Sequence, residues 1–267
     1  MATVLEREAE TRPDTISPAE WQVRKDLAAF YRIAALHHFD DFLYTHISAR
    51  VPGPEHHFLI NPFGLTFDEI TASSLVKVDL DGTIIGPSDY GINYAGYVIH
   101  SAIHAAREDA QFIAHFHTPH GVGVSAHAEG LLPLTQSALY LIPRLAYHDY
   151  EGVALHLDER ERLRDDLGDR KIMLLRNHGT LALGRAPGEA WAGIYGLEKA
   201  CSAQVAALSV GRDHVLIAPE EAQEEARRQV AGESTAGVHR DKRKPHDQLA
   251  WEAVLRKVGR LSPGYDL

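Results

Sequence analysis

Apolar residues recur at helical and strand periods along most of the chain, and the changes of period mark its elements. Ser17-Pro18-Ala19-Glu20 opens the first. The serine can cap a helix, the proline suits its first turn, and the glutamate can close a capping box. Val23, Leu27, Phe30 and Ala34 follow at helical spacing and define one buried face, which fades near Phe39-Asp40-Asp41. Two hairpins are expected next. Residues 44–51 form a strand, Pro52-Gly53-Pro54 turns it, and residues 57–61 return. Residues 75–80 form another strand, Asp81-Gly82 gives a type I′ turn signal, and residues 83–85 return. Residues 93–107 read as a helix with Ala95, Val98, Ile99, Ala102, Ile103 and Ala106 on one face. Residues 111–117 read as a strand, broken by Thr118-Pro119-His120-Gly121 and followed by a short helix to about residue 128.

Farther along, residues 147–156 hold a short strand and 158–167 a charged surface helix. The apolar run 172–175 has the length of a buried strand. Asn177-His178-Gly179 ends it and 181–183 resume. Residues 187–208 form a long helix with a stripe of Trp191, Ile194, Leu197, Cys201, Val205 and Leu208. Short connections between alternating strands and helices point to one α/β domain over residues 17–218, built on a mixed sheet. Residues 1–16 read as a flexible arm. Residues 219–267 read as a C-terminal helical extension, with helices at 220–231 and 248–258, packed on the domain or on a neighbouring subunit.

Composition narrows the function. Of 267 residues, 45% are apolar and 24% charged, as expected of a globular protein with a sizeable core. A net charge of −10 argues against nucleic acid or an anionic membrane as partner. The single cysteine, Cys201, excludes an intramolecular disulfide and a Cys-rich metal site, and its apolar stripe makes it a core residue. The acidic N-terminus has no apolar signal core, and no stretch is apolar enough to span a bilayer, so a cytoplasmic protein is expected.

The 17 histidines carry the chemistry. His115 and His117 flank Phe116 at a strand end. Side chains alternate along a strand, so the two imidazoles share a face at a spacing that suits one metal ion. His178, at the end of a second strand, could complete a three-imidazole site with an open coordination position. His100 and His104 lie one helical turn apart and could orient ligands or simply face solvent. His37-His38 and His56-His57 read as solvated pairs.

The sequence resembles the class II aldolase/adducin family, most closely the adducin head domain and its bacterial relatives. The resemblance covers about residues 20–215. It is carried by Leu43-Tyr44-Thr45-His46-Ile47-Ser48-Ala49-Arg50-Val51, by Phe58-Leu59-Ile60-Asn61-Pro62-Phe63-Gly64-Leu65 and by Thr71-Ala72-Ser73-Ser74-Leu75-Val76-Lys77-Val78. It continues through His100-Ser101-Ala102-Ile103, His115-Phe116-His117-Thr118-Pro119, Tyr147-His148-Asp149-Tyr150-Glu151-Gly152 and Arg176-Asn177-His178-Gly179. It implies a three-layer αβα fold around a mixed sheet. It implies a divalent ion, zinc first and iron, manganese or cobalt as alternatives, on His115, His117 and His178. It also implies a small-molecule carbonyl substrate and a homotetramer.

The departures from that family's pattern are specific. Thr45 and His46 stand where its sugar-phosphate aldolases carry a Gly-Asn pair. Tyr94-Ala95-Gly96 replaces a Ser-Ser-Glu segment whose glutamate is the usual acid/base. Phe63 replaces a hydroxyl residue beside Gly64. With the phosphate grips gone, the expected activity is a metal-dependent carbon–carbon lyase on a non-phosphorylated carbonyl compound. His46 is the expected proton-transfer residue. Phe63, Gly64, Tyr94 and Gln136 are expected in the substrate pocket, with His100 behind the ligands and Tyr140 and Tyr150 as further orienting groups. Two other functions fit the same residues. One is a non-haem Fe(II) oxygenase acting on an aromatic oxo-acid; the other is a non-catalytic, adducin-like protein-binding module.

Overall fold

A computed structural model describes residues 12–152, 158–233 and 244–267. Residues 1–11 of the expected arm lie outside these. Helix α1 (Pro18–Leu36) starts where its capping sequence predicts, with the Ser17 hydroxyl accepting from the Glu20 amide at 3.1 Å. Among the described residues seven strands follow: β1 (His46–Arg50), β2 (Phe58–Ile60), β3 (Val76–Val78), β4 (Phe112–Phe116), β5 (Leu145–His148), β6 (Ile172–Leu175) and β7 (Gly179–Gly184). They form one sheet of order β3-β2-β1-β4-β7-β6-β5. Only β5 and β6 run parallel, so the sheet is mixed as expected.

Alternation along the strands divides the core in two. Ile47, Ala49, Ala114, Phe116, Leu174 and Ala182 pack under α1, α3 (Pro119–Ser125), α4 (Gln136–Leu141), α6 (Pro187–Leu208) and α8 (His246–Leu261). Ile113, Met173, Leu175, Leu181 and Leu183 pack on the other face under α2 (Tyr94–Ala106) and α5 (Glu159–Leu167). This is the three-layer αβα arrangement. The charged helix α7 (Glu220–Ala231) lies outside on α4, where the Tyr140 hydroxyl meets Gln229 at 2.7 Å.

Several expectations are corrected. The second hairpin is a single bridge, Val78 to Ile84. Two backbone bonds flank it, Asp79 N to Thr83 O at 3.1 Å and Ile85 N to Lys77 O at 2.8 Å, and Asp79 Oδ1 takes the amides of Asp81 and Thr83 at 2.9 and 2.8 Å inside the turn. The strand expected at 147–156 begins at Leu145 and ends at His148; residues 153–157 lie outside the described residues. Helix α4 carried no periodic signal because it has only six residues, capped by Thr135. On α6, Val205 is exposed and Gln204 buried in its place, bonded to Leu132 N and Gly130 O at 2.7 and 2.8 Å. His37 is not a solvated residue: it packs among Phe39, Trp191 and Tyr195. Helix α8, expected to pack on the domain or on a neighbouring subunit, packs on α1 and α6 through Trp251, Val254 and Val258. Among the described residues no helix is long and apolar enough to cross a membrane.

Candidate metal centre

His115 lies on β4 with its ring on the α2 face of the sheet. His117 follows one residue beyond the strand, and His178 sits in the tight turn from β6 to β7. That turn is held from α3: the Ser125 hydroxyl accepts from His178 N at 3.2 Å, and the Ser125 carbonyl from Asn177 N at 3.3 Å. The three rings converge, with centroids 4.7, 4.7 and 4.8 Å apart, and their offered nitrogens all lie within 4.8 Å of one another.

Hydrogen bonds fix which nitrogens are free. His115 Nδ1–H donates to the Thr180 carbonyl at 2.9 Å, and His117 Nδ1–H donates to Asp41 Oδ2 at 3.0 Å. In the neutral tautomers both Nε2 atoms are bare, and they face each other at 2.9 Å. Two lone pairs at that distance repel unless a cation joins them, so the donor set fits a metal ion. Burial, then the neighbouring histidines, holds His115 well below the usual imidazole range; burial, then His117 and His148, brings His178 to about 4. Both are therefore neutral at pH 7, as ligands must be.

A second group of buried polar residues stands beside the first. His46 pairs across the ladder with His115, their ring centroids 5.1 Å apart. The chain behind it can be read from its anchored end. His104 Nδ1–H donates to the Ala110 carbonyl at 3.0 Å, leaving Nε2 to accept from the Ser48 hydroxyl at 2.8 Å. Ser48 Oγ accepts from His100 Nδ1–H at 2.5 Å, and His100 Nε2 accepts from His46 Nδ1–H at 2.9 Å. Every tautomer follows from the Ala110 carbonyl, and His46 is left with a bare Nε2. Burial holds His46, His100 and His104 below the ordinary imidazole value, His104 to about 3. His100 and His104 are buried rather than facing solvent, and His100 touches His46 rather than a ligand.

Phe63, Tyr94 and Tyr90 expose their rings. Gly64 adopts φ +123°, and a Cβ there would lie 3.6 Å from Tyr90. A Cβ on Gly96 would lie 2.4 Å from the His46 ring. Tyr150 is exposed, its ring centroid 6.4 Å from that of His178, beside a cleft of about 550 Å³ shared with Ser125, His127 and Arg176. Gln136 is exposed on α4, which packs on α6 and α7, and Tyr140 is taken by Gln229. Sequence reasoning missed Asp41, Ser125 and Thr180 as supports of the three histidines. Each acts across a fold contact, and none carries a local spacing signal.

The fold and this donor set describe a three-layer α/β protein with a candidate three-histidine cation site. The chain belongs to the family described as the Class II Aldolase and Adducin N-terminal domain, whose model matches residues 25–205. A Caulobacter vibrioides protein assigned by name to the class 2 aldolases is 59% identical over 94% of each chain. Alpha-adducin of Rattus norvegicus is 47% identical over 70% of this chain and 26% of its own length. The solved structure of L-fuculose 1-phosphate aldolase from Glaciozyma antarctica PI12 superposes with a TM-score of 0.74 at 28% identity, covering 94% of this chain and 96% of that one.

Proposed function

We propose that this chain is a divalent-metal-dependent lyase of the class II aldolase type. Its substrate is a small, non-phosphorylated carbonyl compound, and the reaction is aldol addition, retro-aldol cleavage or decarboxylation. The observation that carries this reading is the convergence of His115, His117 and His178, two of them pinned through Nδ1 so that their Nε2 atoms face one point. Zinc is the proposed ion, with iron, manganese or cobalt as alternatives on the same ligands. Bound there, a divalent ion supplies Lewis-acid polarisation of a carbonyl oxygen. The similarity to L-fuculose 1-phosphate aldolase supports carbon–carbon lyase chemistry.

His46 is the proposed proton-transfer residue. Its Nδ1–H is committed to His100, so Nε2 is the atom that takes a proton from the substrate and returns it. Neutrality at pH 7, from burial, makes Nε2 an acceptor. A substrate without phosphate is supported by what replaces the family's phosphate grips. Thr45 is fully buried, its hydroxyl accepting from Asp41 N at 3.3 Å, and Phe63 and Tyr94 present rings. Phe63, Gly64 and Tyr94 are the proposed pocket lining. A cytoplasmic homotetramer is the proposed assembly.

The similarity to alpha-adducin favours a second reading, a non-catalytic protein-binding module. An Fe(II) oxygenase on an aromatic oxo-acid shares the same three ligands. Elemental analysis of anaerobically purified protein, against the His115→Ala/His117→Ala double variant, separates the three. Zinc, manganese or cobalt lost in the variant supports the lyase and directs a screen of phosphorylated and non-phosphorylated carbonyl compounds. Stoichiometric iron with oxygen uptake on an aromatic oxo-acid overturns it in favour of the oxygenase. No metal, even after loading, overturns both enzymes and leaves the module.

A further inference from the structure

One carboxyl group, from the far side of the sheet, ties the residue that follows His117 to strand β7. Glu198, in the middle of α6, is 4% exposed. Its Oε2 pairs with the Thr118 hydroxyl and its Oε1 with the Thr180 hydroxyl. Thr118 directly follows His117, and the Thr180 carbonyl receives His115 Nδ1–H. The β4 ladder stops at Phe116, so His117 lies beyond it and its backbone is held through Thr118. Packing here leaves no slack: a Cβ on Gly121 would lie 2.8 Å from Thr180 Cγ2 and 3.1 Å from Glu198 Oε1.

The hydroxyl protons indicate the state of the carboxyl. Thr118 Oγ1 accepts from Gly121 N at 3.0 Å, leaving its own proton for Glu198 Oε2. Thr180 Oγ1 lies against Glu198 Oε1 and also 3.4 Å from the Phe116 carbonyl, which can only accept. A proton on Glu198 Oε1 would complete a chain from Glu198 to Thr180 to Phe116, with every polar atom partnered. Among the described residues no cation pairs with Glu198, and burial raises its pKa above the usual carboxylate range.

We propose that Glu198 is a positioning residue for the metal centre, a neutral carboxyl whose donor–acceptor chain sets the spacing of His115 and His117 from behind the sheet. The proposal rests on reading the three histidines as a cation site. Two experiments on the full chain test it: zinc competition against a chromophoric chelator, and the visible spectrum of the cobalt(II)-loaded protein. They compare wild type, Glu198→Gln, Glu198→Leu and His115→Ala.

Glu198→Gln preserves the pattern, its amide oxygen accepting from Thr118 and its amide N–H donating to Thr180. It is expected to keep the wild-type cobalt spectrum and a zinc affinity within about two-fold of wild type, whereas Glu198→Leu is expected to lose about 10- to 100-fold and shift the cobalt bands. If Glu198→Leu only lowers Tm, with zinc affinity and cobalt spectrum unchanged, the residue merely supports the fold and the proposal is overturned. It is equally overturned if Glu198→Gln is as defective as Glu198→Leu. If wild type and His115→Ala bind zinc alike, the cation reading itself fails and takes the proposal with it. Should Glu198→Leu not fold, Thr180→Val deletes one link of the chain, and an affinity loss of about ten-fold is expected; an unchanged affinity overturns the proposal.

Discussion

The His46 imidazole fills the space in which a side chain on residue 96 would begin. A Cβ built on Gly96 would lie 2.4 Å from His46 Cδ2 and 2.7 Å from Nε2. Gly96 sits in the first turn of α2 without a positive φ, so close approach, not backbone conformation, demands glycine there. The absent side chain at 96 and the histidine at 46 are thus one coupled feature. Helix propensity alone would make Gly96→Ala stabilising by about 1 kcal/mol. The contact reverses that sign, and a loss of about 1–3 kcal/mol is expected in urea unfolding. In a His46→Ala background the same change should stabilise. Gly96→Ala more stable than wild type would show that the ring yields freely.

Asp41 holds His117 from the loop after α1, its carboxylate on Nδ1 at 3.0 Å. A carboxylate there raises the basicity of Nε2 and locks the ring. Asp41→Asn keeps an acceptor but removes the charge. Its zinc affinity should fall about ten-fold, while His178→Ala should abolish stoichiometric binding. Chelator competition checks both, and an unchanged Asp41→Asn affinity would mean that the carboxylate does not tune the ligand.

Much of this centre was legible in the sequence, for a physical reason. Alternation along a strand is strictly periodic, so His115 and His117 declare a shared face, and the apolar run before Asn177-His178-Gly179 puts a third imidazole at a strand end. What joins elements was not legible. Asp41, Ser125, Thr180 and Glu198 reach the site across the sheet or from separate loops, and pairing partners leave no local pattern. His104 could be read as buried or solvent-facing, because a polar residue beside an apolar stripe is decided by what packs on it. The short α4 offered too few turns for a period to emerge.

The C-terminal segment teaches the same lesson and yields a prediction. The expectation left open whether it packs on the domain or on a neighbouring subunit; Trp251 is 8% exposed, meets the Phe30 ring at 5.8 Å and donates its indole N–H to Asp26 Oδ1 at 2.9 Å. Removing a buried tryptophan costs about 3–5 kcal/mol. Trp251→Ala should lower stability on that scale in urea unfolding. The ring packs away from the His115 face, so zinc affinity should hold. A variant as stable as wild type would mean that Trp251 adds nothing to the core.

Acid should destabilise the fold through His104 in particular. Burial, then the Arg50 charge, lowers its pKa to about 3, against the Ala110 carbonyl, which favours the protonated form. In the unfolded chain it titrates near 6.5. The native residue is thus neutral where the unfolded one binds a proton, and stability must fall as pH drops below about 6.5 towards the folded value. The slope from one such group is at most about 1.4 kcal/mol per pH unit. His104→Gln can accept from Ser48 and donate to Ala110 without titrating. Urea unfolding of the metal-free proteins between pH 7 and 4.5 should therefore show a shallower loss for the variant. Equal slopes would mean that His104 is protonated in the native state, and the Ser48 hydroxyl would then have to point away from it. That reversal would undo the tautomer order running through His100 to His46, so this pH profile also tests whether Nε2 of His46 is the bare nitrogen.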